Sequence, residues 1–365
     1  MNRRLTIWSL ALHACIPACA QDLAPFTTPL DHFVVFDRGR SVELEPRKPQ
    51  QVVVTRDRVA YTDDRGQLKI YSGEEVRTVD RNVGHDLLGS DGLVAYTTGP
   101  RLSLARATGP VVLSENASEL SVGDSLVSYH DHMTGKLMLA WRNKVFQVAD
   151  MVRTTDPPKW TTGRNIFTCF DRDTRSLQVF HRGKLTTLVD SLDAVRVALG
   201  SDLVAYFSHA DQRFHVHHDM ADQVLEEFQP IDFLAGDGLV AYTDATLNFK
   251  CWVRGRVTSL LDHAPTKYWV QDSVLLFVDR GMWWTMKDDV PEVIEPYVPE
   301  QWSVDGATVV YLDLNREVRS YRRGARKSVS REAAIGRFEH YGNAVLYRNE
   351  LKFLKGAWKG KIREY

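Results

Sequence analysis

Short apolar runs of strand length alternate with polar turns along almost the whole chain. The pattern is clearest at Gly236, where Gly-Asp-Gly leads into Leu239-Val240-Ala241-Tyr242 and then polar Thr243-Asp244. A turn Asp or Asn followed by such a run recurs nine times. The copies are anchored at Asp57, Asp91, Asp124, Asn165, Asp202, Asp237, Asp272, Asp305 and Asn343, 33 to 41 residues apart. Self-similarity at this period marks a repeat architecture, in which each unit buries its apolar face against the next.

One unit, residues 195–228, reads as four short strands. Val195-Arg196-Val197-Ala198 alternates, Gly200-Ser201-Asp202 turns, and Leu203 to Phe207 is continuously apolar. Phe214-His215-Val216-His217 alternates again, and Val224-Leu225-Glu226-Glu227 closes the unit. Each segment is bounded by turn chemistry. Other copies show the outer pair as a hairpin through Arg254-Gly255-Arg256, Arg182-Gly183-Lys184, Arg323-Gly324 or Lys359-Gly360-Lys361. Glycine at that one place supplies the left-handed backbone a tight hairpin needs.

The run after the Asp turn suits a strand packed on both faces, whereas the alternating hairpin suits one wet face. Four antiparallel strands with the inner ones more apolar make the blade of a β-propeller. No amphipathic helix of useful length follows residue 20, which argues against α-solenoids and leucine-rich horseshoes. The expected fold is therefore all-β: a single large β-propeller of about eight to ten four-stranded blades over residues 21–365. The first strands, around His32 to Leu44, align with the outer hairpin of a unit. They either begin a further blade or cover an edge of the last one.

These units end a strand in tyrosine beside a turn aspartate, and in this the chain resembles the WD40-like and TolB-like propellers of exported bacterial proteins. The likeness is greatest to uncharacterised secreted repeat proteins built on a similar unit. It spans nearly all of residues 21–365 and implies a fold. The Gly-His and Trp-Asp signatures of true WD40 repeats are absent, as is the kelch double glycine. Propellers host binding, scaffolding and catalysis alike, so the resemblance implies little about function.

The N-terminus reads as a targeting segment over residues 1–20. Arg3 and Arg4 precede an apolar stretch, and Ala18-Cys19-Ala20 forms an A-x-A site before Gln21. The stretch is shorter than the roughly 20 residues a membrane span requires. The expected product is exported: periplasmic, cell-surface or secreted. An alternative is a lipid anchor at Cys19, because Ile16-Pro17-Ala18-Cys19 loosely matches a lipobox. Beyond the leader only Cys169 and Cys251 remain, two repeats apart, and they are expected as separate buried thiols.

The 46 Lys and Arg balance the 47 Asp and Glu, and no basic stripe points to nucleic acid. Residues 316–331 are locally basic, with Arg316, Arg319, Arg322, Arg323, Arg326, Lys327 and Arg331. Solvated strand edges and turns account for them, and a site for an acidic glycan or phosphate is the alternative.

Candidate chemistry is sparse. The Asp and Asn anchors recur once per repeat, so a wheel is expected to spread them apart, as turn formers and not as a calcium cage. His215 and His217 share one strand face, and His130-Asp131-His132 is expected in the loop after another inner strand. Paired imidazoles bind zinc where a third ligand converges, which makes these four the metal candidates, although no cofactor is expected. No Gly-x-Ser-x-Gly elbow is present, no catalytic residue is assigned, and Asp63-Asp64 and Asp288-Asp289 read as loop acids. Tryptophans crowd the last third. Adjacent Trp283 and Trp284 must point to opposite sheet faces, so one is a binding candidate for a protein or glycan. The expected function is that of a non-catalytic exported module for a protein or glycan partner. The alternative is a propeller hydrolase or lyase acting on a glycan or peptide at the channel mouth.

Overall fold

The computed structural model describes residues 22–84, 86–106, 108–152, 158–171, 174–190, 196–330 and 332–365. The leader assigned to residues 1–20, including Cys19, lies outside them, as does Arg331. Strands β4 (Gln51–Val54), β5 (Val59–Thr62), β6 (Leu68–Tyr71) and β7 (Val76–Asp80) form an antiparallel sheet in chain order. Eight further four-stranded sheets repeat this arrangement. Strands β1 (Leu23–Thr27), β2 (Phe33–Asp37) and β3 (Arg40–Glu45) make a sheet of three. The molecule is thus a propeller of ten blades, numbered 1 to 10 from the N-terminus. No helix among the described residues is long and apolar enough to cross a membrane.

The period-two register explains why the second strand of each blade is apolar throughout. In β5, Val59 and Tyr61 pack against blade 1, whereas Ala60 packs against blade 3. Both faces of the strand are interior, so no polar position is left over. Among the described residues there are ten hydrophobic clusters, one for every junction between neighbouring blades, from blades 1 and 2 around to 10 and 1. Cys169 and Cys251 are buried, unpaired and in different junctions. Burial pushes both thiols up to about 12.

The tyrosine that ends the second strand has a polar task. Tyr61, Tyr96, Tyr242 and Tyr311 are fully buried, and each donates its hydroxyl hydrogen to an acid on the last strand of the preceding blade. The acceptors are Glu45 (2.9 Å), Asp80 (2.7 Å), Glu226 (2.9 Å) and Glu295 (2.5 Å). In blades 2 and 7 a lysine completes the clasp. Lys69 bonds Glu45 and Asp63, and Lys250 bonds Glu226 and Asp244, all at 2.7–2.9 Å. Asp63 and Asp244 also accept backbone N–H bonds from the loops that follow; Lys250 above all holds the Asp244 carboxyl below the usual range, and the Gln67 N–H with Lys69 does so for Asp63.

Ring closure resolves the ambiguity of the first strands. β2 and β3 do correspond to an outer hairpin, and β1 takes the place of the second strand, so they form a blade of their own. Ala24 and Phe36 of blade 1 pack with Ala344, Leu346 and Leu354 of blade 10. Trp358 of blade 10 lies over hairpin Gly39 as Trp141 of blade 4 lies over hairpin Gly183. The closing junction is therefore built like an internal one.

Candidate functional site

The anchor turns lie at the channel end of the blades, where the wheel is narrowest, and this overturns the expectation that they are spread apart. A belt of interblade hydrogen bonds joins them. Arg56 N–H donates to Asp91 O (3.2 Å), Asp124 N–H to Arg164 O (2.5 Å), Asn165 N–H to Ser201 O (2.8 Å) and Asp237 N–H to Asp272 O (2.5 Å). Side chains continue it: Gly306 N–H donates to Asp272 Oδ2 (2.8 Å) and Gly342 N–H to Asp305 Oδ2 (2.7 Å). Asn343 Nδ2 donates to Asp22 Oδ1 (2.9 Å), which carries the belt across the closing junction.

The anchors fall into two classes offset by one residue. Gly123, Gly163, Gly200 and Gly236 each open a turn closed by an N–H···O=C bond to the third residue on. The residue after that opening position faces the channel: Asp91, Asp124, Arg164, Ser201, Asp237 and Asp272 line a cavity of about 430 Å³. Asp57, Asn165 and Asp202 stand one place later and are not part of its lining.

Among the described residues that line this mouth Arg164 is the one cation, and Arg56 of blade 2 also reaches Asp91, at 3.6 Å. The Arg164 guanidinium lies 2.8 Å from Asp91, 3.0 Å from Asp272 and 3.6 Å from Asp124, joining blade 5 to blades 3, 4 and 8. Burial raises the Asp124 and Asp272 carboxyls above the usual range even though Arg164 opposes the shift, and the surrounding acids raise the Arg164 guanidinium. The mouth is thus a salt-bridged hub, with its donors and acceptors turned on one another. Sequence reading passed over Arg164. The available signal was a single arginine in a column of turn residues otherwise occupied by Asp or Ser in blades 3 to 8.

The histidine candidates do not line the mouth. His215 and His217 lie on strand Arg213–His218 of blade 6, facing blade 5, whereas His130 lies on strand Leu126–Asp131 of blade 4. His215 stacks on Tyr206, with Nδ1 2.7 Å from Asp222 and Nε2 3.0 Å from Asp211. The Asp222 hydrogen bond raises its pKa above the ordinary value. His217 is buried, its Nδ1 has no hydrogen-bond partner among the described residues although Asp222 lies 4.0 Å away, and desolvation lowers its pKa. His181 of blade 5, its electrostatic neighbour, is lowered in the same way. The His130 and His132 rings lie 4.2 Å apart, tilted by 48°, and His132 bonds Ser118 at 2.8 Å. Among the described residues no three His, Cys, Asp or Glu side chains are grouped to hold a metal ion.

Trp283 and Trp284 point to opposite faces of blade 8, as the alternation requires. Trp283 is fully buried toward blade 9, edge-on to Tyr311 at 5.4 Å. Trp284 is half-buried toward blade 7, stacked on Phe277 at 6.1 Å, with its indole N–H on Asp279 O at 3.3 Å. Of the pair, Trp284 is the one that reaches the surface.

No curated protein matches the sequence. Among solved structures the chain is similar to the computationally designed Ika8 protein, with 14% identity, 86% of this chain and 94% of that chain covered, and a TM-score of 0.36. It is also similar to the CRINKLY WD40 ectodomain of the Arabidopsis thaliana receptor kinase ACR4, at 10% identity, 68% and 97% coverage and a TM-score of 0.36. Apo AztD from Citrobacter koseri matches at 10% identity, 76% and 95% coverage and a TM-score of 0.35. Likeness at this level says nothing of ligand or activity. The family model for the 10-bladed beta propeller domain matches residues 17–363, and with ten blades counted in the structure the chain belongs to that family.

Proposed function

We propose that the protein is an exported, non-catalytic propeller that presents its blade faces to a protein or glycan. The observation that carries this reading is the state of the channel mouth. Of the four carboxylates that line it, Asp91, Asp124 and Asp272 are bound to Arg164, and Asp272 also accepts the Gly306 N–H of the next blade. A hydrolytic pair needs one free carboxylic acid and one free base or nucleophile at a set separation. Acids spent on stitching blades together serve architecture instead. Export rests on the leader-like residues 1–20 and predicts a mature chain beginning at Gln21. Intact mass of the processed protein checks this, and a lipid adduct on Cys19 would replace free export by anchoring.

The hydrolase or lyase reading has one observation in its favour: Asp124 and Asp272 are raised toward the range of a general acid. The experiment that separates the two readings incubates the processed protein with polysaccharide and peptide pools and follows both retention and chain length. Retention without shortening supports the binding module. Shortening that disappears in Asp124→Asn or Asp272→Asn overturns it.

A further inference from the structure

The basic run of blade 9 divides into two groups once its partners are known. Arg319 bonds Asp313 at 2.6 Å, Arg316 pairs with Glu300 at 3.1 Å, and Arg326 donates to the carbonyl of Val293 at 2.8 Å. These cations are committed within the fold. Arg322 and Lys327, both exposed, have no side-chain partner among the described residues. Lys359, in the hairpin turn of blade 10, rests among the described residues only on the ring of its neighbour Trp358 at 4.6 Å.

The three uncommitted cations line one groove of about 510 Å³ between blades 9 and 10, a size in the ~300–1,000 Å³ range of small-ligand sites. Its floor includes the buried apolar side chains of Val310, Val345 and Ala357. The hydroxyls of Thr308 and Ser320 add neutral polar groups, and no carboxylate is among the lining residues. The corresponding groove between blades 3 and 4 also carries cations, but there Arg106 bonds Asn143 and the carbonyl of Arg142 and so bridges the gap. In the groove between blades 6 and 7 the fold supplies its own acids, and Arg182 pairs with Asp219 at 2.7 Å.

We propose that the groove between blades 9 and 10 binds an acidic oligosaccharide, with Arg322, Lys327 and Lys359 on its carboxylate or sulfate groups. The inference deepens the binding-module reading and rests on it. Three like charges around a concave surface repel one another, and a multivalent anion relieves that repulsion while gaining charge-assisted hydrogen bonds. The groove is too large for one inorganic anion. Hydroxyl-bearing walls over an apolar floor match a sugar, which offers hydroxyls along its edges and C–H groups on its faces.

The test uses the processed chain, residues 21–365, titrated with a tetragalacturonate, a heparin tetrasaccharide, neutral maltotetraose and a tetraglutamate peptide. At least one acidic tetrasaccharide is expected to bind at least tenfold more tightly than maltotetraose and tetraglutamate. Whichever of the two binds more tightly tells carboxylated from sulfated sources. The triple variant Arg322→Ser, Lys327→Ser, Lys359→Ser removes exposed, uncommitted side chains, so its melting curve should match the parent while affinity falls at least tenfold. Lys184→Ser, an exposed cation on blade 5, should leave affinity unchanged. Affinity should also weaken from 50 to 300 mM salt, as screening predicts. The inference is overturned if neither acidic sugar binds, if the triple variant binds as tightly as the parent, or if tetraglutamate binds equally well. Each of these leaves the module reading intact, whereas shortening of a tetrasaccharide removes that reading instead.

Discussion

The close approach of successive anchor turns makes a sharp stability prediction at Gly123. A methyl group at this position would stand 2.6 Å from the carbonyl oxygen of Arg164 and nearer still to that of Gly163. Both obstacles are backbone of blade 5, so no side chain can swing aside. Relief requires blades 4 and 5 to separate by more than half an ångström, which lengthens the Asp124 N–H···O=C Arg164 bond now at 2.5 Å. Overpacking of this kind costs about 1–3 kcal/mol, while the lengthened bond stays within hydrogen-bonding distance. Gly123→Ala should therefore destabilise the propeller by about 1–3 kcal/mol. Gly336→Ala is the matched control. Its backbone is not left-handed and an added methyl meets nothing within 4 Å, so the stiffer unfolded chain should make this variant about 0.4–1 kcal/mol more stable. Urea unfolding monitored by tryptophan fluorescence gives both numbers, with unchanged m-values as the check on comparability. A Gly123→Ala protein within about 0.5 kcal/mol of the parent would refute the belt as an element of stability, since differences that small are typical of uninvolved surface sites.

Three further outcomes follow from the site geometry. Arg164→Gln leaves Asp124 and Asp272 without their ion-pair partner and Asp91 with Arg56 alone; with the arginine a third exposed, the expected loss is about 1–3 kcal/mol at neutral pH, below the figure for a fully buried pair. Asp124 and Asp272 already hold protons more tightly folded than unfolded, and the substitution strengthens this. Stability of the variant should thus recover as pH is lowered from 7 toward about 4, and urea midpoints across that range showing a constant deficit would exclude the mechanism. His181 and His217 are lowered by burial, so the unfolded chain takes up protons first, and stability should be lost as pH falls below about 6.5. His215 has the opposite sign, and its contribution is present at acid pH and fades as pH rises through its raised folded value. Removing His181 and His217 together as glutamines should flatten the acid limb of the urea midpoint curve while leaving the His215 limb. Finally, Trp283→Ala empties a packed junction and should cost about 3–5 kcal/mol, whereas half-buried Trp284→Ala should cost clearly less; equal losses in thermal melts would place both rings in the core.

Blade architecture was legible because it depends on local rules. A second strand buried on both faces must be apolar throughout, as Val59-Ala60-Tyr61 is, and a tight outer hairpin needs glycine, as at Gly183 and Gly255. These requirements recur at a fixed period, so the repeat, the strand pattern and the opposed faces of Trp283 and Trp284 follow from residue order alone. Blade number and ring closure were less legible, since β1 to β3 look the same whether they cap an edge or form a blade. Only the packing of Ala24 and Phe36 on blade 10 distinguishes the two.

The site lay further out of reach. Arg164 and Asp91 are 73 residues apart and Arg164 and Asp272 lie 108 apart in a sequence where each sits in an ordinary turn. A one-residue offset between Asp91 and Asp57 decides which faces the channel, and a nearly identical local pattern surrounds both. Likewise, Arg319 and Arg322 belong to one basic run, yet one is held by Asp313 and the other stands free in a groove shared with blade 10. Residue order thus determined the repeat, the strands and the buried faces, whose causes act within a few residues. The tertiary structure alone decided which charges meet, because electrostatic partners are set by distance in space, and closing ten blades into a ring brings remote turns to within 3 Å.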